Sequence, residues 1–167
     1  GRLDRMVRRL LSFARPLSLE NTKLNVNRLI ERSLGICEPR PEITVERLHN
    51  SDAEHVVGDF DLLRQALENV VTNAFEAMPD GGTLTIETKV EHGDRNPIIR
   101  IDVSDTGTGM ENTLLNRAVE PFVTTRAAGT GLGLSIVRRI VEAHGGQIEI
   151  ASTEGAGTTV SCMLPQN

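Results

Sequence analysis

Ile99-Arg-Ile-Asp-Val-Ser-Asp-Thr-Gly-Thr-Gly109 alternates apolar and polar residues as far as Val103, the period-two pattern of a half-buried strand. The alternation puts Ile99, Ile101, Val103 and Asp105 on one face, so an acid points where apolar side chains point. A carboxylate in that position needs hydrogen-bond donors. Its own loop can supply them as an Asx turn at the strand end, and so can the exocyclic amino group of a purine; the residues leave both readings open. Gly107 and Gly109 let backbone approach a flat ligand with no β-carbon in the way.

Around this strand the pattern predicts a sheet. Thr83 to Val90 also alternates, and the polar loop before Ile98 predicts a hairpin. Gln147–Ala151 and Thr158–Leu164 supply two closing strands, and Ile43–Leu48 reads as a half-buried strand beyond the Pro39 and Pro41 break. Helices are expected over Leu24–Ile36, Asp59–Met78 and Leu132–His144, the second ended by Pro79-Asp-Gly-Gly82. Helices grouped on one face of a mixed, mainly antiparallel sheet make an α+β two-layer sandwich. Ahead of it Leu3, Met6, Val7, Leu10, Leu11 and Ala14 recur at helical spacing, an apolar stripe that needs a partner, and Pro16 stops that helix near Arg15. A chain that opens inside a helical pattern reads as a piece of a longer protein.

Composition narrows the function classes. With 167 residues, 38% hydrophobic, 25% charged and 15 glycines, the chain suits one soluble core. No apolar run approaches the roughly 18 residues of a spanning helix, and no leader is visible, so a cytoplasmic domain is expected. A net charge of −5 argues against a broad nucleic-acid face. Cys37 and Cys162 lack metal-ligand spacing and are expected to be small buried residues.

Two further stretches carry chemistry. On the helix 59–78, Leu63, Ala66, Leu67, Val70, Val71, Ala74 and Met78 form a core face, while Gln65, Asn69, Asn73 and Glu76 line another, with Asn73 near the border. An amide oxygen there suits a hard cation such as Mg²⁺; from this helix alone the plainer reading is that Asn69 and Asn73 are ordinary solvent-facing residues. Thr124-Thr-Arg126 and Gly129-Thr-Gly-Leu-Gly133 precede a helix, where unpaired N–H groups and the positive dipole end make a ready phosphate site. A flexible loop with a helix cap is the alternative. Neither a P-loop nor a strand-loop-helix G-x-G-x-x-G site is present.

Read in order, Asn69-Val-Val-Thr-Asn73, Asp105-Thr-Gly-Thr-Gly109, Glu120-Pro-Phe122, Gly129-Thr-Gly-Leu-Gly-Leu134 and Gly155-Ala-Gly-Thr158 resemble the N, G1, F, G2 and G3 boxes of sensor histidine kinases. Thr124-Thr-Arg126 and Ala77-Met78 look most like the nitrogen-regulation branch. The resemblance implies the Bergerat ATP-binding sandwich over residues 18–167, with residues 1–17 ending a dimerisation and phosphotransfer helix. It implies ATP or ADP and Mg²⁺ as cofactors. Asp105 would accept from the adenine amino group, Gly107, Gly109 and Met110 would lie against the base, and Thr158 would support it. Asn73 would hold Mg²⁺, with Asn69 assisting. Thr125, Arg126 and the backbone from Gly129 through Thr130, Gly131, Leu132 and Gly133 to Leu134 would cradle the phosphates, inside a lid from about Arg117 to Gly131; Asn73 and Arg126 are the expected catalytic residues.

The implied partners are ATP, the chain's own dimerisation domain, a response-regulator receiver domain and, in the full-length protein, a second copy. Nucleic acid is not among them, and a membrane would be met only through upstream segments. Two departures stand out: Glu76 where many relatives have a phosphate-contacting lysine, and Ala77 in place of an adenine-stacking aromatic. His49, His55, His92 and His144 lack the surroundings of a phosphoacceptor. A clamp ATPase of the topoisomerase or chaperone type, and a module that only senses ATP, are the competing readings.

Overall fold

The computed structural model describes residues 1–120 and 133–166. Five strands form the main sheet in the order β2-β4-β5-β7-β6: β2 (Ile43–Leu48), β4 (Gly82–His92), β5 (Pro97–Asp105), β6 (Gln147–Thr153) and β7 (Gly157–Pro165). The β2–β4 pair is parallel and the other three are antiparallel, so the sheet is mixed and mainly antiparallel. Helices α2 (Val26–Leu34), α3 (Phe60–Glu76) and α5 (Gly133–Ala143) cover one face, with α3 packed against both of the others. The expected α+β sandwich is what forms.

The periodicities explain the burial. Leu84 and Ile86 of β4, Ile99, Ile101 and Val103 of β5, and Val160, Cys162 and Leu164 of β7 are buried under the helices. Helix α3 answers with Leu63, Ala66, Leu67, Val70, Val71 and Ala74, the core face its spacing predicts, and Met78 is buried just beyond it. Cys162 lies in this core, and burial pushes its thiol up to about 12. Cys37 is only half-buried, a correction to the expectation of two buried thiols: it lies just past the end of α2 and is only partly covered where it packs against the core.

On the other face of the sheet Arg100 donates to Asp102 at 2.8 Å and to Ser161 at 3.1 Å, and Lys89 donates to Asp102 at 3.3 Å. Burial alone would raise the Asp102 carboxyl; Ser161, Arg100 and Lys89 outweigh it and hold the group below the ordinary carboxylate range.

The segment read as a helix from Leu24 begins as a strand, β1 (Thr22–Asn25), paired antiparallel with β3 (His55–Gly58) in a separate two-stranded sheet. Leu24, Val26, Leu29 and Ile30 are all buried, but only Val26, Leu29 and Ile30 stand at helical spacing; Leu24 precedes Val26 by two residues, the period of a strand. The boundary itself is set by Asn25, whose side chain accepts the Arg28 N–H and caps α2.

Helix α3 begins in the same way. Asp59 accepts from Leu62 N–H at 3.1 Å and from Glu20 N–H at 2.9 Å, so one carboxylate caps the helix and fixes the segment arriving from α1 (Arg2–Ala14). Burial raises this carboxyl, but the two donors prevail and keep it low. The Asp59 N–H in turn donates to His144 Nε2 at 2.9 Å, tying the start of α3 to the end of α5. His144 is therefore a packing histidine, as its surroundings imply. On α1, Leu3, Val7 and Leu11 are 74%, 44% and 52% exposed, so most of its apolar stripe lacks a cover among the described residues, while Leu10 packs against the core. No helix among them is long and apolar enough to cross a membrane.

Candidate functional site

Strand register builds the site. Leu84 pairs with Asp105, Asp105 with Thr158, and Thr158 with Ser152, a row that crosses four strands at one end of the sheet. Directly opposed residues in an antiparallel ladder share a face, and this row lies on the helix side, as the buried Leu84 shows. Asp105 thus continues the line of Ile99, Ile101 and Val103.

Its carboxylate oxygen Oδ1 accepts Gly107 N–H at 2.9 Å and Thr158 N–H at 3.3 Å. The first bond is the Asx turn allowed by the sequence; the second comes from the neighbouring strand and locks the side chain to the sheet. An acid held from two elements presents a fixed acceptor, which recognition of an amino group requires.

The loop after Asp105 rests on two backbones. Thr108 N–H donates to Ala77 O at 3.0 Å, and Gly155 N–H donates to Thr108 O at 2.7 Å. A β-carbon on Gly107 would lie 2.3 Å from Ala77 O, and one on Gly109, whose φ is +64°, would lie 2.0 Å from Thr153 O. Only glycine permits these approaches. Met110 N–H donates to Ser152 Oγ at 2.8 Å, while that hydroxyl donates to Gly157 O at 3.0 Å and shares a 2.8 Å bond with Thr158 Oγ1. Ser152 therefore joins the loop to Gly157 and Thr158 at the start of β7. Sequence reasoning missed it by ending β6 at Ala151; two more residues of strand place it opposite Thr158 across the hairpin.

The other wall is the join between α3 and α5. A β-carbon on Gly133 would sit 3.4 Å from Asn73 Nδ2 and 3.7 Å from its Oδ1, so Asn73 looks at the first residue of α5. Asn69, one turn earlier, donates its amide to Gln65 O at 3.0 Å. Glu68 is held by Arg64 at 2.5 Å and Glu76 is exposed. Leu134 packs against the core, leaving its backbone as the part of it that can serve a site.

The structure brings together Asp105, Gly107, Gly109, Met110 and Thr158 at the sheet end, and sets Asn73 beside Gly133 at the helix join. Thr125, Arg126, Gly129, Thr130, Gly131 and Leu132 lie outside the described residues, as does the lid beyond residue 120. Among the described residues no group of three or more acidic, histidine or cysteine side chains could hold a metal.

Residues 58–167 match the model of the histidine kinase-, DNA gyrase B-, and HSP90-like ATPase family. The sensor histidine kinase ZraS of Escherichia coli (strain K12) is 37% identical over 169 residues, covering 99% of this chain and 36% of its own. Sporulation kinase A of Bacillus subtilis (strain 168) is 33% identical over 171 residues, covering 99% and 27%. Among solved structures, the catalytic domain of the histidine kinase ThkA superposes with a TM-score of 0.75 at 32% identity, covering 88% of this chain and 96% of that one. Full-length ShkA in complex with AMPPNP superposes with a TM-score of 0.83 at 27% identity, covering 98% and 35%. The chain spans about a third of the length of the curated relatives it matches.

Proposed function

Because the chain belongs to the histidine kinase-, DNA gyrase B- and HSP90-like ATPase family, we propose that it is the catalytic domain of a sensor histidine kinase, delivering the γ-phosphoryl of Mg-ATP to a histidine on a dimerisation domain for relay to an aspartate of a response-regulator receiver domain. The observation that carries this reading is the fixed carboxylate of Asp105, aligned with Thr158 and Ser152 beside a loop whose glycines seat it closely on the Ala77 and Thr153 backbones.

In this reading the adenine amino group donates to Asp105, the base lies against Gly107, Gly109 and Met110, and Thr158 supports it. The phosphates run toward Asn73 and the start of α5, where the Gly133 and Leu134 amides sit at the positive end of the helix dipole. Thr125, Arg126 and the backbone of Gly129, Thr130, Gly131 and Leu132 complete the cradle. The amide oxygen of Asn73 fits Mg²⁺, which takes few protein ligands and fills its octahedron from water and phosphates; Asn69 lies one turn away. Mg²⁺, when bound, neutralises phosphate charge. What the chain contributes is position, holding the nucleotide at both ends, with Asn73 and Arg126 as its proposed catalytic residues.

Residues 1–17 would end the dimerisation helix and residues 18–167 form the catalytic domain. The uncovered stripe of Leu3, Met6, Val7 and Leu11 supports this, since a helix of a bundle buries such a stripe against its neighbours. That bundle would make the longer protein a homodimer, working in the cytoplasm.

Incubation with γ-labelled ATP tests the reading. The chain alone is expected to label none of His49, His55, His92 and His144, and a separately prepared phosphotransfer domain of the same kinase is expected to take up label when added. Label on the chain's own histidines, or none on the added domain, contradicts it.

A further inference from the structure

The base-binding loop is not self-supporting. Its floor is the turn that ends α3, and Arg40, in a segment far from both in sequence, grips that turn. Phe75 O already accepts Met78 N–H and Met78 O accepts Gly81 N–H, both at 3.1 Å, and the two lone pairs of a carbonyl oxygen let each take a further donor. Arg40 Nη1 donates to Phe75 O at 3.1 Å, and Nη2 to Met78 O at 2.9 Å and Pro79 O at 2.8 Å. A cation at this end also meets the negative pole of the helix dipole.

The segment that holds Arg40 is itself stiff. Pro39 and Pro41 flank it and restrict its backbone. Arg40 Nε pairs with Glu42 at 3.0 Å, and Gly82 N–H donates to Glu42 O at 3.0 Å. Three carbonyls and a planar fork make a match that an ammonium group cannot reproduce.

From this turn the contacts pass straight to the loop. Ala77 O accepts Thr108 N–H at 3.0 Å, Thr106 Oγ1 accepts Thr83 N–H at 2.9 Å, and Gly107 sits so close that a β-carbon would meet Ala77 O at 2.3 Å. A turn displaced by a few tenths of an ångström therefore carries residues 106–108 with it. Those residues lie between Asp105 and Gly109.

We propose that Arg40 is a positioning residue for the adenine-binding loop, acting through the end of α3 and without touching the nucleotide. The proposal rests on the nucleotide reading above and deepens it. It separates the two ends of the ligand: Arg40 bonds the turn beneath the base end, whereas at the phosphate end Asn73 faces Gly133 of α5.

The test is ADP titration of the wild-type chain, Arg40→Ala, Arg40→Lys and Arg47→Ala, each with and without Mg²⁺, far below the unfolding midpoint, alongside amide exchange at Thr108. Arg47 is the control, a surface arginine whose partner is Glu31 at 3.4 Å. Arg40→Ala is expected to weaken ADP about tenfold, the scale of one misplaced hydrogen bond to a charged group. The loss should be equal with and without Mg²⁺, with faster exchange at Thr108. Arg40→Lys should restore part of the affinity and Arg47→Ala should bind as wild type. If Arg40→Ala does not fold, Arg40→Lys carries the test and should bind severalfold weaker than wild type. Unchanged affinity in the folded Arg40 variants, or a loss seen only with Mg²⁺, overturns the proposal. A wild-type chain that ignores ADP is a different failure, that of the nucleotide reading itself.

Discussion

Asp105→Asn is expected to leave the fold intact and weaken adenine-nucleotide binding by roughly a hundredfold, the upper range for losing a hydrogen bond to a charged group. The amide keeps one oxygen, which can still accept from Gly107 and Thr158 as Oδ1 does now. What it replaces is the second acceptor with a donor, and a donor facing the amino group of a purine repels it. Asp105→Ala should do more. It strips Gly107 and Thr158 N–H of their acceptor, and each part-buried donor left unpaired costs about 1–3 kcal/mol. The pair of variants therefore splits recognition from support: calorimetric titration should show both losing the nucleotide, while thermal unfolding should show only the alanine variant losing much stability. An asparagine variant that binds as well as wild type would mean the carboxylate serves its own loop alone.

The second large effect is expected at Gly109, and its neighbour in space, Gly155, provides the comparison. Both have positive φ, +64° and +79°, a conformation that costs a residue with a β-carbon about 1–2 kcal/mol. At Gly155 that is the whole cost, since a β-carbon there meets nothing within 4 Å. At Gly109 it would lie 2.0 Å from Thr153 O, a backbone atom with no rotamer to yield. Gly109→Ala must therefore push the loop off the 153–155 turn, breaking the Gly155 N–H bond to Thr108 O and the Met110 bond to Ser152. It should lower stability by about 3 kcal/mol or more, combining strain with lost hydrogen bonds, and abolish ADP binding. Gly155→Ala should lose about 1 kcal/mol and keep most of its affinity. Denaturant unfolding of both beside an ADP titration checks the contrast, and equal behaviour of the two variants would refute the close-approach argument.

Much of this arrangement is legible before any coordinates. Strand parity alone sends Asp105 to the face of Ile99, Ile101 and Val103, because side chains alternate whatever the sheet does later. The α3 face is equally legible, from Leu63 to Met78, because burial on a long helix follows its own period. Short elements escape this logic. Four residues of β1 hold too few alternations to announce a strand, and the helical spacing of Val26, Leu29 and Ile30 next to them draws the expected boundary too early. Contacts between distant segments are also hidden. Ser152 matters because β6 runs on to Thr153, and Arg40 because a proline-bounded segment lies under the end of a helix 35 residues on; neither follows from local pattern. The facing of Asn73 and Gly133 is likewise a product of how α3 and α5 pack.

The most direct test is an amide NMR titration of the wild-type chain with ADP, first without and then with Mg²⁺. ADP alone should shift Asp105, Gly107, Gly109, Met110 and Thr158, and Mg²⁺ should then tighten binding and move the Asn73 side-chain amide. Shifts confined to other parts of the sheet, or no saturable shift at all, would contradict the assignment of this sheet end as a nucleotide site.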